Sequence, residues 1–490
     1  MSELASRVFN HRRPVVKPSL TGAEAAALAE VESLYSPYGV LRLFSTYFRP
    51  GPGLPMHVGH GQYFDFDHVI SRMLGLPGLT SAFGAQVFGG GKGVDLFDMY
   101  VSSIGEGIER LLGSLAGFER LGEVRYGSWQ ELTSQGLDCL HPEQCPIFAK
   151  RQFADPHFAF EPWTEDTHLG WLPGTRLLSG TRLHVPAQLV LFIYHLDRGE
   201  PRIGLAPSGG LASHISTEEA VLHAVCEVTE RDALNLRWHG RIPLDRVVLD
   251  VEPPDRAVAE VLRRMRANHP MPRLYYHNLD FPEFPTVTVI GYDDWVNRFA
   301  YTAGGGVGPN LMASLRSGLT EYAQAERCIR LAQLARGWKF GPAFEALFDI
   351  REDAETVQFV RFVQAIAYYG YASHAAEARW YFQDGPEMPL SELIARDASF
   401  EPEPSARMRS ALRRRGLDPV MFDLTPRGLR HTRLWKAFIP ELTQPYPQHA
   451  PALGHPRLCG DGAGVRRPRR RHEPGRPAHP TVAVPLTEPL

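Results

Sequence analysis

Three stretches of the chain carry carboxylates at spacings that chemistry could use. In GGGKGVDLFDMYVSSIGEGIERLLGSL (residues 89–115), Ser102, Glu106 and Glu109 recur three and four residues apart, so a helix would place them on one face. Asp95 stands where the helix cap is expected, and Lys92 precedes it in Gly-rich text that reads as a flexible loop. In APSGGLASHISTEEAVLHAVCEVTERDALNLRW (206–238), Glu227-x-x-Glu230-Arg231 repeats the spacing of Glu106-x-x-Glu109-Arg110. Glu219 lies eight residues before Glu227, a little over two turns, and can reach the same face. Ser216-x-x-Glu219 also reads as a capping box, which alone would account for Glu219. In YTAGGGVGPNLMASLRSGLTEYAQAERCIRLAQ (301–333), a second Gly-rich loop precedes a helix with Glu321 and Gln324 three apart.

Several carboxylate pairs facing one cavity repel one another unless cations neutralise them. Mg²⁺ takes oxygen ligands and commonly binds through a few carboxylates plus substrate phosphates. A triphosphate with its metals supplies that neutralisation, while Lys92 and the arginines would hold phosphate oxygens. The pattern predicts a nucleotide site built from helix carboxylates. A P-loop is excluded because Gly93 follows Lys92 where Ser or Thr is required. Gly304 to Gly308 does not spell the dinucleotide fingerprint, so a Rossmann site is excluded as well.

The elements that must position these residues belong to an ordinary globular chain. It has 490 residues, 43% hydrophobic and 22% charged, with 52 basic against 55 acidic side chains for a net charge of −3. That balance argues against a general nucleic-acid coat. Cysteines at 139, 145, 226, 328 and 459 are odd in number and lack C-x-x-C spacing, which favours reduced thiols in the cytoplasm over a disulfide framework. No signal peptide is read at the N-terminus and no membrane span along the chain. Residues 1–80 form a mixed N-terminal region, a partner- or peptide-contacting segment with a helical pattern from about Thr21 to Tyr35. Residues 81–457 alternate helical and strand signals as one large core domain. Residues 458–490, rich in Arg and Pro, read as a disordered tail. The apolar run Ala187–Tyr194 has the length and composition of a strand. His57, His60 and His68 with Asp65 and Asp67 read as scattered surface residues on a loop, Cys226 as core, and Cys139, His141 and Cys145 stay unassigned.

With these motifs in hand, the chain resembles the YcaO family over roughly residues 88–457. The resemblance rests on Gly91-Lys92-Gly93, Ser102-x-x-x-Glu106-x-x-Glu109-Arg110, Glu219-Ala220 with Glu227-x-x-Glu230-Arg231-Asp232, and Leu319-Thr320-Glu321-x-x-Gln324. Trp171-Leu-Pro-Gly174, Ser179-Gly180, Val185-Pro186-Ala187, Phe438-Ile-Pro-Glu-Leu442 and Gly454-His-Pro-Arg457 extend it. It implies an α+β fold, with mixed and antiparallel sheets and long helices converging on a nucleotide cleft. It implies ATP- and Mg²⁺-dependent activation of backbone amides in a ribosomally made precursor peptide. Cys, Ser or Thr would be cyclodehydrated to thiazoline or oxazoline, as in bacteriocin biosynthesis. Other members form thioamides or amidines, and a non-catalytic scaffold is a further alternative. Carried over by position, Glu106, Glu109, Glu219, Glu227 and Glu230 would bind the metal, and Lys92, Ser102, Arg231 and Gln324 the nucleotide. The implied partners are the precursor peptide, a separate leader-peptide-binding protein and a flavin dehydrogenase of the same pathway, with a homodimer left open. This chain departs from the family at Ile215, where Asn is frequent, at Gln324-Ala-Glu-Arg327, where Gln-x-Arg is common, and in lacking a final Pro-x-Pro-x-Pro.

Overall fold

The computed structural model describes residues 20–35, 41–47, 57–63, 90–196, 199–266, 271–277, 280–293, 300–334, 350–355, 362–446 and 450–459. The fold is α+β. A first antiparallel sheet has the order β1 (Leu41–Tyr47), β2 (His57–Tyr63), β3 (Gly90–Gly93). The second runs β4 (Arg125–Gly127), β5 (Leu169–Arg176), β13 (Val420–Asp423), β14 (Arg433–Phe438), β7 (Leu211–His214), with β6 (Arg182–Pro186) also paired to β5. The third runs β11 (Tyr301–Val307), β10 (Thr286–Tyr292), β9 (Arg273–Tyr276), β8 (Asp245–Val248), β12 (Glu387–Pro389). Only β8 and β12 pair in parallel among the described strands.

Helix α1 (Gly22–Glu32) opens on a complete capping box between Thr21 and Glu24, inside the expected span. Three long helices each follow an edge strand directly: α2 (Leu96–Glu119) after β3, α3 (Thr217–His239) after β7, and α4 (Leu311–Leu334) after β11. Asp95 caps α2 by accepting from the Asp98 amide, and Ser216 caps α3 by accepting from the Glu219 amide. The second sheet is packed on both faces. Ile104, Ile108 and Leu112 of α2 join Leu211 and Leu434 on one face. On the other, Val221, Ala224 and Val228 of α3 join Ala212 and Ala437. Successive β7 residues therefore point to opposite helices, as the two-residue period of a strand requires. Leu311, Leu315 and Leu319 of α4 cover the third sheet.

Several expectations are corrected here. The Gly-rich text around Lys92 and around Gly304–Gly306 forms strands β3 and β11, not loops. A side chain at Gly91 would start 2.3 Å from the Met99 carbonyl, and one at Gly304 would start 2.1 Å from the Tyr322 amide. The glycines let α2 and α4 lie backbone to backbone on their strands. His57 and His60 lie on β2 rather than a loop; Asp65, Asp67 and His68 fall outside the described residues. Ala187–Tyr194 is not a strand. It begins as a short 3₁₀ turn after Pro186 and continues as irregular chain, with the Gln188 amide bonding Pro201 and Ile203 backbone groups. Near-complete burial made its composition strand-like without a ladder to join. The first sheet unites β1 and β2 with β3, so it spans both sides of residue 80. Residues 460–490, most of the expected tail, lie outside the described residues.

Candidate nucleotide site

An edge strand carries N–H groups that no neighbouring strand accepts. On β3, β7 and β11 those groups meet helix carboxylates. The Gly90 amide donates to Glu106 Oε2 at 2.9 Å, and the Lys92 amide makes a long contact of 3.4 Å with Ser102 Oγ. The Ser213 amide donates to Glu109 Oε2 at 3.2 Å, and the Gly210 amide, just before β7, to Glu227 Oε2 at 2.9 Å. The Gly305 amide stands 3.5 Å from Glu321 Oε1. One strand–helix unit is thus used three times.

The units converge. The Lys92 ammonium on β3 donates to Glu321 on α4. A side chain placed on Gly305 of β11 would start 3.0 Å from Glu230 Oε1 of α3. Each E-x-x-E-R arginine stays with its own pair: Arg110 lies 3.6 Å from Glu106 and 4.0 Å from Glu109, and Arg231 lies 3.4 Å from Glu227 and 3.8 Å from Glu230.

This crowding sets the charge states. Burial, reinforced by Glu227 and Glu106 and opposed by Arg110, pushes the Glu109 carboxyl up to about 8. Burial, reinforced by Glu321 and Glu227 and opposed by Arg231 and Lys92, pushes Glu230 up to about 7. Glu321 behaves in the opposite way: burial works against its charge, yet Lys92 holds it below the ordinary carboxylate value. Lys92 in turn is raised by Glu321, Glu106 and Glu230 despite burial. The side chains of Lys92 and Glu321 retain 24% and 39% exposure, so solvent and solutes reach the pair.

Of the residues expected here, Lys92, Ser102, Glu106, Glu109, Glu227, Glu230 and Arg231 are brought together. Gln324 is half-buried on α4, one turn beyond Glu321. Glu219 sits at the start of α3, half-exposed, where it accepts from Ser216 Oγ at 2.7 Å and lies 2.7 Å from His214 Nδ1. Glu321 was given no ligand role from the sequence, although it links α4 to the rest of the cluster; the recurrence of a Gly-rich segment before its helix was the available signal. Cys226 is core, its thiol pushed up to about 12 by burial and by Glu230. Cys139 and Cys145 are buried free thiols.

The donor set suits Mg²⁺: hard carboxylate oxygens on rigid helices, two of them destabilised in anionic form until a cation arrives. Among the described residues, no three His, Cys, Asp or Glu side chains already form a metal-holding group. No described helix is long and apolar enough to cross a membrane.

Comparison with solved structures shows the same fold. A heterocyclase in complex with substrate and cofactor matches at a TM-score of 0.64 with 18% identity, over 87% of this chain and 53% of that one. The YcaO protein of Methanopyrus kandleri bound with AMPPCP and Mg²⁺ matches at 0.54 with 15% identity, over 91% of each chain. The E. coli microcin synthetase McbBCD complex matches at 0.50 with 14% identity, over 81% of this chain and 88% of that one. An uncharacterized protein of Methanothermobacter thermautotrophicus is 30% identical over 129 residues, which is 26% of this chain and 30% of that protein. The chain thus spans about a third of that relative and about half of the heterocyclase. Residues 90–443, which hold all three strand–helix units, match the model of the ATP- and Mg²⁺-binding YcaO cyclodehydratases, and the chain belongs to that family.

Proposed function

We propose that the chain uses ATP and Mg²⁺ to activate backbone amides of a ribosomally made precursor peptide, cyclodehydrating Cys, Ser or Thr to an azoline. The single observation that carries this reading is the meeting of three strand–helix carboxylate units, joined by Lys92, in a described core that matches the family model. Glu106, Glu109, Glu219, Glu227 and Glu230 would hold Mg²⁺, with phosphate oxygens completing its shell. Lys92, Ser102, Arg231 and Gln324 would contact the nucleotide, and Glu321 orients Lys92. Bound Mg²⁺ supplies charge stabilisation for phosphoryl transfer.

In the proposed reaction, the Cys, Ser or Thr side chain gives up its S–H or O–H proton to solvent as it adds to the preceding carbonyl carbon, and the carbonyl π electrons move onto the oxygen. The carbonyl oxygen takes the γ-phosphoryl group and ADP is released. Loss of phosphate and of the amide proton then leaves the C=N bond of the ring. The oxygen departs as phosphate because hydroxide is a poor leaving group. The chain's own contribution is positioning: edge-strand amides hold the carboxylates, and the arginines keep each Glu pair from splaying. A separate leader-peptide-binding protein would deliver the substrate.

The test combines purified chain, Mg²⁺, ATP, a candidate precursor peptide and its binding partner, followed by mass spectrometry and phosphate release. One water lost per phosphate released supports azoline formation. Exchange of oxygen for sulfur identifies a thioamide-forming enzyme instead. Failure of the chain to bind Mg²⁺–ATP overturns the reading.

A further inference from the structure

Lys436, on β14, is 1% exposed and makes no direct ion pair among the described residues, although Glu227 and then Glu109 lie near enough to favour its charge against burial. A buried ammonium without a paired charge is costly and rare. Its Nζ donates to the carbonyls of Pro207 and Gly209, each at 2.6 Å. Those carbonyls belong to the turn Pro207–Gly210 that enters β7. The same turn is held from the other side: the Ala437 amide donates to the Gly210 carbonyl at 2.8 Å. Gly210 has φ 80°, the left-handed region, and a side chain there would start 2.8 Å from that Ala437 carbonyl oxygen. The Gly210 amide then donates to Glu227. A continuous chain of contacts runs from the Lys436 ammonium through the turn to a carboxylate of the site.

We infer that Lys436 is a positioning residue for the nucleotide site: it clamps the Pro207–Gly210 turn so that the Gly210 amide fixes the Glu227 carboxylate. The inference rests on the reading of Glu227 as a contact to Mg²⁺–ATP. An apolar residue of equal length would fill the same space in the sheet and leave both carbonyls without their donor. The turn could then relax, and Glu227 would lose its fixed amide.

The test is a double-mutant cycle read by calorimetric titration with a non-hydrolysable ATP analogue, with Mg²⁺ and with a chelator instead. Lys436→Met is expected to weaken binding with Mg²⁺ about tenfold, the loss typical of a hydrogen bond to a charged group. Binding under chelator should change little. Because both residues act through one carboxylate, Lys436→Met added to Glu227→Gln should cost little more than Glu227→Gln alone. Additive losses, or parent-like binding by Lys436→Met, overturn the inference. Lys436→Arg keeps charge and donors and should recover most of the affinity. If Lys436→Met does not fold while Lys436→Arg binds as the parent does, the lysine is structural and the inference is overturned. If the parent itself does not bind the analogue with Mg²⁺, the nucleotide reading fails and this inference with it; failure confined to the variants overturns the inference alone.

Discussion

Glu230 on α3 and Glu321 on α4 are near enough for Glu321 to act on the Glu230 charge, yet their carboxyls end up shifted in opposite directions. Glu230 is pushed up to about 7, while Glu321 is held below its ordinary value. Burial opposes the charge of both. The difference is the partner: Lys92 donates directly to Glu321, whereas Arg231 stands 3.8 Å from Glu230 and lies nearer Glu227. A direct hydrogen-bonded cation fixes a carboxylate as an anion, and a cation shared at longer range among crowded carboxylates does not. The α4 carboxylate is paired directly within the protein, whereas four carboxylates on α2 and α3 share two arginines, and in the proposed site an incoming cation would complete their neutralisation.

The strongest test of this contrast is Glu227→Gln and Glu230→Gln. Each removes one carboxylate from the incompletely neutralised α2–α3 side. Phosphate release should fall by at least about 10²-fold, as for loss of one electrostatic contact in a transition state. Without ATP both variants should melt no lower than the parent, because like-charge repulsion is relieved, and both should gain less from Mg²⁺–ATP. Unchanged stabilisation by Mg²⁺–ATP would reduce the pair to structural carboxylates packed beside Arg231. Lys92→Met should erase the contrast from the other side. Glu321 would rise toward the range of Glu230, and affinity for Mg²⁺–ATP should drop about tenfold by calorimetry. A Glu321 titration unchanged by NMR in this variant would show that Lys92 does not set its charge.

A smaller effect follows from pH. Glu109 and Glu230 are raised to about 8 and about 7 from an ordinary 4.5. Between those values the folded protein holds protons that the unfolded chain has released. Their stabilising contribution is complete below about pH 4.5 and is lost as pH rises through 7 and 8. Mg²⁺–ATP must displace those protons, so its affinity should rise over the same interval. Melting curves with and without Mg²⁺–ATP across this interval should therefore diverge as pH increases; parallel curves would remove the two carboxyls from the site. The mildest change is Gly305→Ala. Its methyl would start 3.0 Å from Glu230 Oε1, forcing that side chain to give way. An off-rotamer Glu230 would cost about 1 kcal/mol, or about fivefold in affinity for Mg²⁺–ATP. Parent-like binding would show that the position of Glu230 is not tightly required.

The helices were legible because their signals are local. Asp95 and Ser216 mark helix starts by cap chemistry, and the Glu spacing survives as a helix face wherever the helix goes. The meeting of the three units was inferred from the awkwardness of repeated Glu pairs and from the family resemblance. Strands β3 and β11 were not legible. Glycine-rich text has no side-chain alternation, and the backbone-to-backbone approach that favours it appears only in three dimensions. Lys436 and Glu321 were missed as a positioning residue and a site residue for a related reason. Their roles depend on partners 229 residues away in sequence, in both Lys436–Pro207 and Lys92–Glu321.

The pairing of edge-strand amides with carboxylates has a consequence beyond nucleotide chemistry. Open strand edges invite other chains to add as further strands, and a charged group held against the edge discourages that addition. At β3, β7 and β11 the carboxylates occupy the amides that an intruding strand would need. An extended peptide lying along one of these edges must compete with a glutamate for the same hydrogen bonds. Variants that truncate several of these glutamates to Ala at once would present bare edges, and self-association measured by light scattering should increase with each one removed.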